Sequence, residues 1–267
     1  MLLNSGMRLF NLFSFLGLLV LSAIWPNAAG AQATAPAPVP NPTQSAPPPA
    51  PALTHEQQLL LDWPQLARYH GADMQIAAPA PEENRVVFYG DSITDGWNLA
   101  DYFPGKPYIN RGISGQTTPQ MLVRFRQDVI ALRPKVVVIL AGTNDIAENT
   151  GPTTPEAIQN NFISMAELAR ANGIRVVLSS VLPAYDYPWR PGKQPVEKIA
   201  ALNAWLKGYA AAKQIIYLDY FTAMQDERHG LPEKLSKDGV HPNPAGYAIM
   251  QPMAEQAIAA ALGFAQH

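Results

Sequence analysis

Cysteine is absent from this 267-residue chain. Its absence excludes structural disulfides, a thiol nucleophile and a lipid-bearing N-terminal cysteine. It neither supports nor opposes export. Basic runs are also missing. Lys and Arg number 19 against 21 Asp and Glu, a net charge of −2, and no cationic stretch exceeds an isolated pair. Such a chain lacks the positive footprint of a nucleic-acid binder. There is no His-Glu-x-x-His pattern, no clustered metal-ligand spacing and no Gly-rich phosphate loop. No metal and no other cofactor is therefore implied.

An apolar run does occupy residues 9–24, after Arg8, the one charge in residues 1–31. Ala29-Gly30-Ala31 then sets small residues where a signal peptidase reads. Residues 1–31 thus read as a secretory signal, and the mature net charge becomes −3. The alternative is a retained membrane anchor. The run is short for a span and is broken by Asn11 and Ser14, so cleavage without stable membrane insertion is expected. The destination is the periplasm or the exterior. Residues 32–52 carry eight prolines among small and polar residues, a composition that cannot bury a core. They read as a disordered tether ahead of a folded domain over residues 53–267.

Thr54 and Gln57 form a capping-box pattern that opens the domain with a helix, which Pro64 limits. Strand and helix patterns then alternate. Apolar, β-branched strands are expected over residues 85–89, 108–113, 135–141, 175–182 and 215–221. Val136-Val137-Val138-Ile139-Leu140 is apolar throughout, which implies cover on both faces, as in a parallel sheet. Thr118-Pro119 and Thr154-Pro155 read as cap-plus-proline helix starts. The first helix should run to Pro134 with Met121, Phe125, Val129 and Leu132 inward, and the second should close at Asn172-Gly173. Further helices are expected over residues 196–212 and 244–262. The fold class is α/β: one three-layer α/β/α sandwich on a five-stranded parallel sheet. Right-handed crossovers bring every strand-end loop to one rim.

Those loops hold the chemistry. Gly90-Asp91-Ser92-Ile93-Thr94 follows the first strand, where open α/β sheets hold ligands. Ser92 needs a base to become a nucleophile. Of five histidines, His241 lies in a strand-end loop three residues after Asp238, whose carboxylate can reach the imidazole and fix its tautomer. An oxyanion site can draw on the Ser92 N–H, a second N–H at Gly115 and the Asn144 side chain. Singly, Gly115 also reads as a turn glycine and Asn144 as a loop cap. Asp91, Asp95 and Asp145 read as partners of loop amides. Trp97 walls the pocket or packs in the core. Tyr185, Tyr187, Trp189 and Arg190 form an aromatic loop that stacks on a sugar, encloses a leaving group, or packs as an ordered lid.

Together these positions resemble the SGNH hydrolase superfamily, also called the GDSL lipase/esterase family. The matching blocks are Gly90-Asp91-Ser92-Ile93-Thr94, Asn110-Arg111-Gly112-Ile113-Ser114-Gly115, Gly142-Thr143-Asn144-Asp145 and Asp238-Gly239-Val240-His241-Pro242. The chain looks closest to the branch of platelet-activating-factor acetylhydrolase subunits and bacterial carbohydrate acetylesterases. The resemblance implies a flavodoxin-like sandwich, Ser92 as nucleophile, His241 as base and Asp238 as its orienter. It also implies an oxyanion hole from Ser92, Gly115 and Asn144. The expected function is an exported serine esterase acting on a small-molecule or carbohydrate ester, with short acyl groups such as acetyl. A lysophospholipase or thioesterase of the same family is the alternative, and a non-catalytic envelope binding module a more distant one. A nucleotide-binding α/β domain would need a Gly-rich turn after the first strand, and Gly-Asp-Ser-Ile-Thr is not one.

Overall fold

The computed structural model describes residues 54–263, all within one compact unit. The expected signal segment and proline-rich tether lie outside the described residues. Helices α1 (His55–Leu61) and α2 (Ala67–Asp73) come first. Then follow β1 (Val86–Gly90), the short helices α3 (Ser92–Asp95) and α4 (Leu99–Tyr102), β2 (Tyr108–Gly112) and α5 (Thr118–Asp128). A 3-10 turn (Ile130–Leu132) leads to β3 (Val136–Leu140), α6 (Thr143–Ile146) and α7 (Pro155–Ala171). The chain continues through β4 (Arg175–Ser179), α8 (Pro195–Lys213), β5 (Ile216–Leu218), α9 (Tyr220–Met224) and α10 (Pro244–Gly263).

The five strands pair in parallel in the order β2-β1-β3-β4-β5. This is the flavodoxin-like order. Side chains alternate between the two faces, as the strand period demands. Val87, Tyr89, Val137, Ile139, Val176 and Leu178 pack beneath α5, α7 and α8. Val86, Phe88, Val136, Val138, Leu140 and Val177 pack against α10 and the aromatic cluster around α3 and α4. β1 and β3 are buried along their whole length, which explains their unbroken apolar sequence.

Several boundaries differ from the sequence expectation, each for a local reason. Thr117, not Thr118, caps α5, and its N–H donates to the Gln120 side chain at 3.0 Å. Thr118 is diverted to Asp145, to which both its N–H and its hydroxyl donate. Helix α5 stops at Asp128, well before Pro134, and Arg133 turns left-handed after the 3-10 turn. Strand β4 ends at Ser179. β5 ends at Leu218 because Asp219 caps α9, accepting the Thr222 N–H at 3.0 Å.

Helix α2 and the linker before it attach to the sheet edge that leads into the candidate site. The Tyr69 hydroxyl donates to the Gly112 carbonyl, Arg111 pairs with Asp73 at 2.5 Å, and the Gln116 side chain donates to the Pro64 carbonyl at 2.8 Å.

Candidate active site

The turn after β1 is set by two close approaches. A Cβ on Gly90 would lie 2.7 Å from the Leu140 carbonyl oxygen, and one on Gly112 would lie 2.1 Å from the Asp95 backbone nitrogen. Both positions need glycine so that α3 can start at once and lie across the end of β2. Asp91 caps α3, accepting the Ile93 N–H at 3.0 Å, and Ser92 is the first helical residue. Asn110 secures the far end of this turn by donating to the Thr94 and Trp97 carbonyls.

His241 arrives from the other end of the domain, just before α10. Asp238 organises that loop with one oxygen, which accepts from the Ser236 hydroxyl and from the N–H groups of Val240 and His241. Its other oxygen lies 2.6 Å from His241 Nδ1. With the Nδ1–H donating to that carboxylate, Nε2 is left to accept the Ser92 hydroxyl at 2.8 Å. Burial opposes ionisation of Asp238. The hydrogen bonds from the His241 ring and from the two backbone N–H groups outweigh it and hold the carboxyl well below its usual range. Serine, imidazole and carboxylate thus form one hydrogen-bonded line, able to pass a hydroxyl proton to the imidazole and to stabilise the resulting cation.

Gly115 has φ +80°, a left-handed conformation that favours glycine. Asn144 is buried in α6, which begins after Gly142 at φ +112°. The Asn144 amide donates to the Gln116 carbonyl at 3.0 Å, and its oxygen accepts from Asn149 at 2.8 Å. An amide nitrogen has two N–H groups, so one remains to meet a developing negative charge.

The other sequence candidates separate. Trp97 is 2 % exposed and stacks on Tyr247 among Phe88, Phe103 and Tyr102, so it packs in the core, the second of the two roles open to it from the sequence. Tyr187 is fully buried and supports the Trp189 ring from 5.2 Å, at the wall of the groove that Tyr185 also lines. Trp189 does reach the site. Its ring is 5.9 Å from that of His241, and its Nε1–H donates to Asn149 at 2.9 Å. Tyr185 is exposed, carries the Arg228 guanidinium 3.7 Å over its ring, and lines a 420 Å³ groove that also touches Asp238. Arg190 is exposed.

The three further aspartates partner loop groups as expected. Asp145 receives Thr118, and Asp95 receives the Ser114 N–H and hydroxyl. Burial raises the Asp91 carboxyl to about 7 and that of Asp145 to about 6. Among the described residues, no group of three His, Asp or Glu side chains is arranged to hold a metal ion.

Sequence reasoning missed Arg124. It is fully buried on α5 and donates to the Gly90 carbonyl at 3.0 Å, the Arg111 carbonyl at 2.9 Å and the Gln116 side chain at 2.5 Å, while pairing with Asp128 at 2.9 Å. One guanidinium thereby joins the ends of β1 and β2 beneath the candidate site. It also missed Asn149, which lies five residues after Asn144 in the sequence.

Residues 88–249 match the model of the GDSL-like Lipase/Acylhydrolase family. The chain belongs to that family. A GDSL-like lipase from Bacteroides thetaiotaomicron VPI-5482 superposes with a TM-score of 0.73 at 47% identity, covering 74% of this chain and 99% of that one. The lipoprotein YqeF of Bacillus subtilis is 32% identical over 120 residues, 38% of this chain and 49% of YqeF. An acetylxylan esterase of Xylanibacter ruminicola is 27% identical over 221 residues, 67% of this chain and 44% of that protein. The chain thus spans about half the length of these two curated relatives.

Proposed function

We propose that this chain is an exported serine esterase that removes short acyl groups, acetyl foremost, from a carbohydrate ester. One observation carries the catalytic part: the line from Ser92 Oγ through the His241 ring to Asp238, with contacts of 2.8 and 2.6 Å. Ser92 attacks the ester carbonyl while His241 Nε2 takes its proton. The tetrahedral oxyanion is met by the N–H groups of Ser92 and Gly115 and by the Asn144 amide. Collapse expels the alcohol, protonated by His241. Water, deprotonated by the same imidazole, then releases the acid and restores Ser92.

The substrate class is supported by the half-exposed Trp189 ring beside His241, an apolar face on which a sugar ring can pack, and by the likeness to an acetylxylan esterase. Export is supported by the signal pattern of residues 1–31 and by the likeness to a lipoprotein. Among the described residues no helix is long and apolar enough to cross a membrane. Residues 32–52 then serve as the tether and the domain begins near residue 53.

The test is hydrolysis of p-nitrophenyl acetate, butyrate and octanoate by the wild type beside Ser92→Ala. Serine-dependent turnover that falls with chain length is expected, followed by acetate release from acetylated glycans. Serine-dependent turnover favouring octanoate would replace the substrate class with a lipid or thioester. Equal rates for the wild type and a folded Ser92→Ala would remove the catalytic assignment. N-terminal sequencing of the protein recovered outside the cytoplasm should begin near Gln32.

A further inference from the structure

The Asn149 side chain makes three hydrogen bonds, two through its nitrogen and one through its oxygen, and each partner belongs to the site. Its amide nitrogen donates to Asn144 Oδ1 at 2.8 Å and to the Gly115 carbonyl at 3.2 Å. Its oxygen accepts the Trp189 indole N–H at 2.9 Å. Its backbone N–H also donates to the Asn144 carbonyl at 3.0 Å, so the two residues close one short turn after α6. A second contact holds the aromatic loop to this turn: Lys193 pairs with Glu148 at 2.5 Å.

These contacts have a consequence for the Asn144 amide. An asparagine side chain can present either its oxygen or its nitrogen in a given direction. With Asn149 donating, the Asn144 oxygen must face it, because the flipped amide would set donor against donor. The Asn144 nitrogen is then committed to the Gln116 carbonyl and to the side where the oxyanion forms. The same Asn149 nitrogen pins the carbonyl of Gly115, the residue whose own N–H is the other proposed donor. Asn149 meets its own needs in the Trp189 indole, which locks its amide in the donating orientation.

We infer that Asn149 is a positioning residue. It fixes the Asn144 amide and the Gly115 turn in the orientation that meets the oxyanion, and is itself oriented by Trp189. The inference rests on the serine-esterase reading above. Asn149 acts through Asn144 and Gly115 and touches no reacting atom.

The experiment measures kcat and KM on p-nitrophenyl acetate for Asn149→Ala, the near-isosteric Asn149→Asp, Asn144→Ala and the Asn144→Ala/Asn149→Ala pair. Thermal melting checks that each variant is folded. Losing a preorganised oxyanion donor costs roughly 10²–10³ in kcat. Asn149→Asp offers only acceptors to Asn144 and Gly115. It should lower kcat by about 10²-fold and leave KM within about threefold, since the donors act in the transition state. Coupled residues give strongly non-additive cycles, so Asn149→Ala should cost about tenfold or less once Asn144 is already alanine.

A loss under about threefold in folded Asn149→Asp, or the same loss from Asn149→Ala in both backgrounds, would overturn the inference. If one variant fails to fold, the other carries the test. Failure of the underlying reading is distinct: Ser92→Ala and Asn144→Ala would then keep wild-type turnover. Loss in those two variants with an unaffected Asn149→Asp overturns the positioning role alone.

Discussion

At the scale of single residues, the site sets two carboxylates apart by environment. Asp238 is kept ionised by donors that converge on it, and the proposed mechanism needs that charge beside His241. Asp238→Asn keeps the size but favours the wrong imidazole tautomer. It should lower kcat by about 10³–10⁴-fold in a variant that still melts cooperatively. Asp91 is the reverse case. It is fully buried, one of its oxygens lacks a hydrogen-bond partner, and its carboxyl rises from 3.8 to about 7. Between those values the folded protein holds a proton that the unfolded chain has released. Asp91 therefore costs stability as pH rises from about 4 through about 7. Asp91→Asn retains a cap acceptor for Ile93 and does not titrate. Melting curves at both ends of that window should show the variant gaining on the wild type by at least about 2–4 °C, the shift expected of 1 kcal/mol in a domain of this size. Parallel curves would mean that Asp91 is not proton-linked.

At the scale of elements, the five strands were legible because their apolar runs need burial on both faces, and Val136–Leu140 supplied the clearest case. The short helices α3, α4, α6 and α9 were not legible. Each has only four or five residues, too few to show a period, and each is held by turns or caps at its ends. Four of the five proposed catalytic and oxyanion positions, Ser92, Asp238, His241 and Gly115, were readable because they sit in strand-end loops with marked turn residues. Asn144 was also readable, as the polar residue after Gly142-Thr143. The aromatic candidates divided on burial, which side-chain type alone does not reveal: Trp97 and Tyr187 went to the interior and Trp189 to the site. Arg124 was missed because Arg and Asp on a helix normally mark the solvent face. Here Arg124 and Asp128 are both fully buried, and the guanidinium serves the carbonyl ends of two strands. Arg124→Met should destabilise the domain by about 3–5 kcal/mol in urea unfolding, because it leaves the buried Asp128 carboxylate without its ion-pair partner and removes the bonds to the Gly90 and Arg111 carbonyls. A loss under about 1 kcal/mol would show that the strand ends hold without it.

At the scale of the whole molecule, the segment ahead of β1 is part of the site's support. Tyr69, Asp73 and the Pro64 carbonyl hold Gly112, Arg111 and Gln116, residues on either side of Gly115. A chain starting at Asn84 should melt lower and turn over at least about tenfold more slowly, since small misplacements of a catalytic group are costly. Unchanged turnover would detach these helices from function. The proposed esterase itself is tested most directly by asking which atom becomes acylated or phosphonylated. An alkyl fluorophosphonate reacts with an activated serine and leaves a stable adduct that peptide mass spectrometry can locate. One adduct per chain on Ser92, with turnover lost in proportion and no adduct in His241→Ala, is the expected result. Labelling at another serine, or full turnover in a chain stoichiometrically labelled at Ser92, would contradict the Ser92–His241–Asp238 mechanism.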